Sequence, residues 1–173
     1  MNRNDLAGLF QNITGHGVEL GVYKGEYSRE ILSRYSGVLH LVDPWEGDFV
    51  GLEPQKWSSV YSKCLDNLEV FKDRYVIHRK LSIDAVNDFE DRSLDFVYID
   101  ADHQYEHVCQ DISIWYPKLR VGGIMSGHDF LADGFIEDIE QGVNRAVWLY
   151  CGIFGVKVHL TNENKWKSWW FEK

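Results

Sequence analysis

Hydrophobic residues recur along the chain with two different spacings. Spacings of three and four residues, typical of amphipathic helices, begin at Tyr27, Trp57, Tyr105 and Val143. Between these stretches lie short apolar runs of strand length: Gly17–Val22, Val38–Asp43, Tyr75–His78, Leu94–Asp100 and Leu119–Ser126. Strands that are apolar on both faces and alternate with helices are typical of a parallel sheet covered by helices on each side.

The spacing changes to every second residue near the carboxyl terminus. The positions concerned are Phe154, Val156, Val158 and Leu160, followed by Trp166, Ser168 and Trp170. Residues 161–164, Thr-Asn-Glu-Asn, lie between the two runs and supply a turn, so the pattern predicts an antiparallel hairpin. We therefore predict one α/β domain over residues 1–173, a three-layer sandwich whose mostly parallel seven-stranded sheet ends in that hairpin.

Composition narrows the classes of partner. The 173 residues include 18 basic and 27 acidic side chains, which gives a formal net charge of −9. An acidic surface repels phosphate backbones and anionic lipids, so we expect no nucleic-acid or membrane partner. The three cysteines lie far apart and disfavour a disulfide framework. Because the amino terminus has no apolar stretch of the kind found in signal peptides, we expect a cytoplasmic protein.

An acidic residue stands at the end of four predicted strands. Glu19 lies near the end of the first strand and Asp43 ends the second. Asp100 ends the fourth strand, and Asp129 follows the fifth. Ligands of open parallel α/β sheets bind at this edge, and four converging carboxylates require a positive or hydroxyl-rich ligand there. The pattern predicts a binding site.

The first strand leads into the sequence ELGVYKG. Gly21 and Gly25 allow the backbone to approach a ligand closely at the start of a helix. A dinucleotide fingerprint fails, because Tyr23 stands where its middle glycine would have to clear a pyrophosphate. Glu19 would repel that pyrophosphate but suits an ammonium group, and Asp43 can accept both hydroxyls of a ribose. S-adenosylmethionine carries both groups and fits better than NAD.

The order of these motifs resembles the class I S-adenosylmethionine-dependent methyltransferases. The resemblance covers residues 15–173 and is carried by VELGVYKG, LVDPW, Ser82, DFVYIDADHQYE, LRVGGIMSGHDF and KWKSWWF. More narrowly, the chain is similar to small-molecule O-methyltransferases that include macrocin-type sugar enzymes. The resemblance implies a Rossmann-like fold and transfer of a methyl group to a hydroxyl of a small molecule, and its macrocin-type branch implies a sugar as the acceptor.

The resemblance also implies roles for individual residues. Glu19 and Gly21 would line the methionine part of the cofactor, Asp43 the ribose, and Ser82 the edge of the adenine. Trp45 would pack on the adenine face; its alternative is a packing anchor, and that of Ser82 is a helix cap. The full set of expected cofactor-binding residues is Glu19, Gly21, Tyr23, Gly25, Asp43, Trp45, Ser82 and Asp100.

Removal of the acceptor's proton requires a base or a metal ion, and the sequence offers both. Asp100, His128 and Asp129 form a reasonable ligand set for a divalent cation, either magnesium or, because of the imidazole, a transition metal. The alternative is a polar pair of His128 and Asp129 without metal. By the resemblance, Asp100 and His103 are the catalytic residues, with His103 as general base; a solvent-facing His103 is the alternative.

Two alternatives to this function remain open at the level of sequence. One is an NAD-dependent oxidoreductase, and the other is a module that binds S-adenosylmethionine without catalysis. Two long connections, Pro44–Gln55 and Phe130–Gln141, would cover the small-molecule acceptor. Exposed aromatic residues in the amino-terminal segment and the hairpin would favour a homodimer.

Overall fold

The computed structural model describes residues 1–47, 56–131, 135–136, 139–140 and 142–173. The strands of the described chain are β1 (His16–Leu20), β2 (Val38–Val42), β3 (Tyr75–His78), β4 (Leu94–Ile99), β5 (Leu119–Phe130), β6 (Phe135–Ile136), β7 (Ile139–Glu140), β8 (His159–Leu160) and β9 (Lys167–Glu172). The helices are α1 (Arg3–Leu6), α2 (Glu26–Arg34), α3 (Trp57–Leu68), α4 (Ser82–Ala85), α5 (Tyr105–Trp115) and α6 (Val143–Phe154). The four helices predicted from spacing, α2, α3, α5 and α6, are confirmed.

Seven strands form one sheet in the order β3-β2-β1-β4-β5-β9-β8. Strands β1 to β5 are parallel, whereas β9 runs antiparallel to both β5 and β8. The predicted α/β sandwich with a terminal antiparallel hairpin is therefore confirmed. The parallel strands direct all their carboxyl ends to one edge of the sheet, which is where the acidic residues cluster.

The hairpin is shorter than the alternation of apolar residues predicts. Helix α6 continues to Phe154 and ends at Gly155, whose left-handed conformation with φ of 68° closes the helix. Only His159 and Leu160 pair with β9 in this arm. The connection after β5 also contains a feature that the sequence did not predict, because β6 and β7 form a separate antiparallel pair.

Alternation along the strands divides the core into two layers. Val18 and Leu20 of β1 pack on one face of the sheet with buried residues of α5 and α6. Phe96 and Tyr98 of β4 pack on the other face with α2, α3 and the amino-terminal segment. Within that segment Phe10 is fully buried, and its ring stacks on Phe96 with centroids 3.8 Å apart.

The homodimer expected from the sequence stays a prediction. Phe10 in the amino-terminal segment and Trp169 in the hairpin are both fully buried, so neither forms an exposed aromatic patch. Cys64, Cys109 and Cys151 form no disulfide. Among the described residues, no helix combines the length and apolar character needed to cross a bilayer.

Candidate functional site

A cavity of about 900 Å³ opens at the carboxyl ends of β1 to β4. Its size lies in the usual range for small-molecule sites. Seven residues expected from the sequence lie in its wall: Glu19, Gly21, Tyr23, Asp43, Ser82, Asp100 and His103. Four of the expected residues do not line it: Gly25, Trp45, His128 and Asp129. The cavity thus lies where the sequence predicted a binding site, and the roles of the individual residues stay predictions.

Glu19 is a carboxyl group inside the core. It alternates with Val18 and Leu20 along β1, so its side chain points to the opposite face of the sheet, toward α2. Only 1% of Glu19 is exposed, and its Oε2 accepts a hydrogen bond from the Ser28 hydroxyl. Burial raises its pKa to about 8, although the Ser28 hydrogen bond and Arg3 act in the opposite direction. A cationic ligand group beside Glu19 would stabilise its ionised form.

The two glycines after β1 have different tasks. Gly21 lines the cavity and has a φ of 81°, and a Cβ at this position would lie 2.1 Å from the carbonyl oxygen of Asp100. Gly21 therefore lets the ends of β1 and β4 approach each other beneath the ligand position. Gly25, the N-cap of α2, instead makes room for Cys64, whose Sγ would lie 2.9 Å from a Cβ. Gly25 therefore serves the packing of α2 against α3 and does not line the cavity, and its expected cofactor contact stays a prediction.

Asp43 anchors the turn after β1. Its Oδ2 accepts hydrogen bonds from the backbone N–H groups of Val22 and Tyr23, both at 2.9 Å. Its Oδ1 accepts one from the N–H of Trp45 at 2.7 Å. A carboxylate offers about four lone-pair positions, so one acceptor position on Oδ1 is left for a ligand. Asp43 therefore keeps an acceptor position for a ribose hydroxyl on Oδ1, and the expected contact with both hydroxyls stays a prediction.

Trp45 is a packing anchor, which corrects the expectation that it covers an adenine. Its indole is 1% exposed, and its Nε1–H donates to the carbonyl oxygen of Tyr23 at 2.7 Å. The ring meets Tyr61 of α3 edge to face, with centroids 5.0 Å apart. The indole thus holds the turn after β1 in place through this hydrogen bond, and it does not line the cavity.

Ser82 reaches the cavity beside a residue that the sequence did not predict. The Ser82 hydroxyl donates a hydrogen bond to Oδ1 of Asp111 in α5, and both residues line the cavity. Ser82 is the first residue of α4, whose N-cap is Leu81, so the helix-cap alternative is not observed. Asp111 is 3% exposed, and burial raises its pKa to about 6. No motif marks Asp111, since only the packing of α5 against α4 brings it here.

The candidate reaction centre joins the ends of β4 and β5. Nε2 of His103 lies 2.8 Å from Oδ2 of Asp129 and 3.9 Å from Oδ1 of Asp100. Nδ1 of His128 lies 3.1 Å from Oδ1 of Asp129 and 4.0 Å from Oδ1 of Asp100. The four side chains expected to act in catalysis or metal binding are thus adjacent. Of these, Asp100 and His103 face the cavity.

Charges within this group shift its proton affinities. Burial by itself lowers the pKa of His103, but the hydrogen bond and negative charge of Asp129 outweigh it and raise the pKa overall. Burial would raise the pKa of Asp129, but the hydrogen bonds from His103 and His128 lower it well below its ordinary value. For Asp100, burial prevails and raises the pKa. Asp129 is therefore an ionised carboxylate that favours a charged His103.

The geometry changes the predicted metal ligands. Among the described residues, the one group whose ligand atoms all lie within 4.8 Å of one another is Asp100, His103 and Asp129. This group contains His103 where the sequence predicted His128, although each imidazole has one nitrogen beside a carboxylate oxygen of Asp129. Two carboxylates and an imidazole suit a transition metal such as Mn²⁺ or Fe²⁺ better than Mg²⁺, which prefers oxygen ligands only.

Arg3 is the main addition to the site. It reaches the cavity from α1, where its Nη2 donates to Oδ2 of Asp100 and its guanidinium lies 4.4 Å from the centre of the Tyr27 ring. The motifs considered in the sequence begin after this residue. No local pattern distinguishes Arg3 from any other surface arginine, so only the three-dimensional fold assigns it to the site.

Backbone strain is concentrated around the same edge of the sheet. Among the described residues, the non-glycine positions with positive φ are Tyr23, Trp45, Arg92 and Asp129. All but Arg92 lie in the segments where β1, β2 and β5 end. Such conformations require support from their surroundings and occur preferentially at functional sites.

The fold and the cavity define the class of protein. The strand order with its antiparallel end is that of the Rossmann-like methyltransferase fold. The profile of a methyltransferase domain matches residues 18–130, well over half of the chain, and the chain therefore belongs to this family.

Solved structures agree on the fold. A protein of Corynebacterium glutamicum is 16% identical with a TM-score of 0.73, over 98% of this chain and 79% of its own. The O-methyltransferase TomG of Streptomyces achromogenes, which is involved in tomaymycin synthesis and was solved with S-adenosylmethionine, is 14% identical with a TM-score of 0.69. That match covers 99% of this chain and 78% of TomG. Identities this low bear on the fold alone.

One curated relative is closer in sequence but much longer. An uncharacterised protein of Sinorhizobium fredii is 30% identical over 92 residues, which is 51% of this chain. The match spans only 10% of the length of that relative. The present chain thus corresponds to a small part of the curated protein it matches.

Proposed function

We propose that this protein is an S-adenosylmethionine-dependent methyltransferase that transfers a methyl group to a hydroxyl of a small molecule. The observation that carries the proposal is the placement of Glu19 and Asp43 in the wall of one cavity at the ends of adjacent strands. Membership of the methyltransferase-domain family and the bound cofactor in TomG support the same conclusion.

The chemistry of the cavity wall fits each part of the cofactor. Glu19 accepts the ammonium group of the methionine part, and its acidic surroundings tolerate the sulfonium. Asp43 accepts one ribose hydroxyl through the remaining position on Oδ1. Ser82 and Asp111 offer polar contacts to the edge of the adenine, while the neighbouring Leu81 and Ile83 supply apolar surface. When bound, the cofactor supplies an activated methyl group, so alignment of the acceptor is the main task of the protein.

His103 is the residue we propose as general base. Its Nε2 faces the carboxylate of Asp129 at 2.8 Å, which assigns the ring hydrogen to Nε2 and leaves Nδ1 to accept a proton. Asp129 then orients the imidazole and stabilises its charged form. This arrangement lets His103 take the proton of an acceptor hydroxyl as the methyl group is transferred.

Asp100, His103 and Asp129 would also hold a divalent cation. A bound cation would acidify the acceptor hydroxyl and so replace the base. The two roles of His103 exclude each other, because an imidazole that binds the cation through Nε2 no longer receives orientation from Asp129. A sugar is the first acceptor class to test, since the resemblance is to macrocin-type enzymes.

Isothermal titration calorimetry tests the cofactor. We expect the wild-type protein to bind S-adenosylmethionine and S-adenosylhomocysteine and not NAD. Glu19→Gln should weaken both methionine-derived ligands at least tenfold, because a charged partner is lost. Glu26→Gln, a change to an exposed acid at the rim of the same cavity, should alter their affinity by less than twofold. Binding of NAD without binding of S-adenosylmethionine would contradict the proposal.

Turnover separates an enzyme from a binding module. Radiolabelled S-adenosylmethionine offered with a panel of sugars, polyols and catechols should yield a methylated product. His103→Gln should abolish that product while leaving cofactor affinity within a few fold. Cofactor binding together with turnover that survives His103→Gln would reject the proposed base.

A further inference from the structure

We infer that Arg3 binds the carboxylate of the methionine part of S-adenosylmethionine, while Glu19 takes the ammonium group. The inference rests on the proposed cofactor and deepens it. Arg3 lies in α1, outside residues 18–130 that define the family, and its side chain lines the cavity together with Glu19 and Gly21.

Arg3 has hydrogen-bond donors available for such a ligand. A guanidinium carries five N–H donors in a planar fork that fits a carboxylate. Within the described residues, the only side-chain hydrogen bond of Arg3 runs from Nη2 to Asp100. Its Nε is shielded from solvent and has no partner in that part of the chain, whereas Nη1 also lacks a hydrogen bond there and is not shielded, so Nη1 is the donor open to a ligand. A ligand carboxylate can therefore occupy donors that the protein itself leaves unused.

The charges around the cavity explain why a cation is required at this place. Glu19, Asp43 and Asp100 all line the cavity, and a ligand carboxylate entering among them would be repelled. Arg3 supplies the compensating positive charge next to Asp100. Burial lowers the pKa of Arg3, but Tyr98 and Asp100 outweigh it and raise the pKa above its ordinary value. A guanidinium keeps its charge in proteins, so this compensation does not depend on titration.

The amino-terminal segment is fixed firmly enough to present Arg3. Asn2 and Asp5 form reciprocal side-chain to backbone hydrogen bonds around α1, a capping box. The Tyr27 hydroxyl donates to the carbonyl oxygen of Arg3 at 3.0 Å. Leu6 and Phe10 are fully buried in the core behind the helix. Arg3 is thus placed in advance, which lowers the entropic cost of binding a ligand.

Decarboxylated S-adenosylmethionine provides the decisive probe, because it lacks only the group assigned to Arg3. We expect wild-type protein to bind S-adenosylmethionine about 10- to 100-fold more tightly than the decarboxylated ligand in calorimetric titrations. Arg3→Gln should remove that preference by weakening S-adenosylmethionine alone. Its affinity for the decarboxylated ligand should be equal or higher, since Glu19 and Asp100 are then less neutralised.

Two further variants separate ligand binding from folding. Arg3→Lys keeps the charge but loses the planar fork, so we expect a smaller, roughly threefold to tenfold loss for S-adenosylmethionine. Asn2→Ala removes the cap of α1 but keeps Arg3, so its preference for S-adenosylmethionine should fall by less than about threefold, far less than in Arg3→Gln. Circular dichroism checks that each variant is folded. If Arg3→Gln does not fold, the same comparison of the two ligands is made on Arg3→Lys.

The possible failures are distinguishable. A wild-type protein that binds neither ligand overturns the proposed cofactor. A wild-type protein that binds both ligands equally well overturns only the role of Arg3. A parallel loss of both ligands in the arginine variants also overturns it, because the residue would then act through the fold of the cavity.

Discussion

Replacement of Glu19 by glutamine should stabilise the ligand-free protein in a pH-dependent way. The carboxyl is 1% exposed, and burial raises its pKa from the ordinary 4.5 to about 8. Between these values the folded state binds more protons than the unfolded state, so stability falls as the pH rises. At about 1.4 kcal/mol per pH unit, the full loss is about 5 kcal/mol once the pH exceeds 8. Glutamine does not ionise, so the stability of the variant does not fall with pH for this reason.

Urea denaturation at pH 5 and pH 8.5 measures the effect. We expect the stability of Glu19→Gln relative to wild type to increase by several kcal/mol between the two conditions, with unchanged dependence on urea concentration. Glu26→Gln is the matched control, because Glu26 is exposed on α2, and its difference from wild type should be the same at both pH values. If the difference in free energy of unfolding between Glu19→Gln and wild type is the same at pH 5 and pH 8.5, Glu19 is not a buried carboxyl that ionises in this range.

Other changes test the frame of the site and its chemistry. Gly21→Ala should destabilise the protein by several kcal/mol in thermal unfolding, because a Cβ would lie 2.1 Å from a backbone oxygen at a φ of 81°; an unchanged melting temperature would contradict this. Asp129→Asn should lower the pKa of His103, because the hydrogen bond and charge of Asp129 raise it. NMR titration with a chelator present measures this pKa, and a value that stays raised in the variant would show that another group causes the shift. Because a cation held by His103 would replace that residue as the base, a chelator should leave methyl transfer unchanged; a loss of turnover that Mn²⁺ restores would assign the deprotonation to a metal and reject His103 as base.

Much of the fold was predictable because its signals are local. Buried parallel strands produce apolar runs, and amphipathic helices produce stripes, so both are legible in the sequence without knowledge of contacts. Most strand ends were close to those observed: β1 ends at Leu20, before Gly21 with its positive φ, and β4 ends just before Asp100. The exception is β5, which runs to Phe130 and contains Asp129, whereas the prediction ended it at Ser126. The alternation near the carboxyl terminus predicted a strand from Phe154, whereas Phe154 is the last residue of α6. An apolar residue at a helix end can fit a period of two by chance.

The site was predictable only as far as its residues follow strands. Glu19, Asp43 and Asp100 adjoin strand ends, and topology alone brings them to one edge. Asp111 and Arg3 arrive from a helix face and from the amino-terminal segment, and only tertiary packing places them there. The prediction that Trp45 packs on the adenine face was wrong for a related reason. The direction of its side chain depends on a left-handed backbone with φ of 46°, which the sequence does not reveal.

The choice of histidine in the predicted metal site also depends on tertiary structure. His103 and His128 both lie beside Asp129, one on each carboxylate oxygen. Which of them groups with Asp100 and Asp129 depends on ring orientation, which residue spacing does not determine. Part of the Pro44–Gln55 connection and of the Phe130–Gln141 connection, which were expected to cover the acceptor, lies outside the described residues.

A crystal structure with S-adenosylhomocysteine tests the central claim most directly. The account predicts that the nucleoside fills the cavity with its amino group on Glu19, one ribose hydroxyl on Oδ1 of Asp43, and its adenine toward Ser82. A ligand bound in the reverse direction, with the amino acid end at Ser82 and Asp111, would contradict it. So would a nucleoside found outside this cavity.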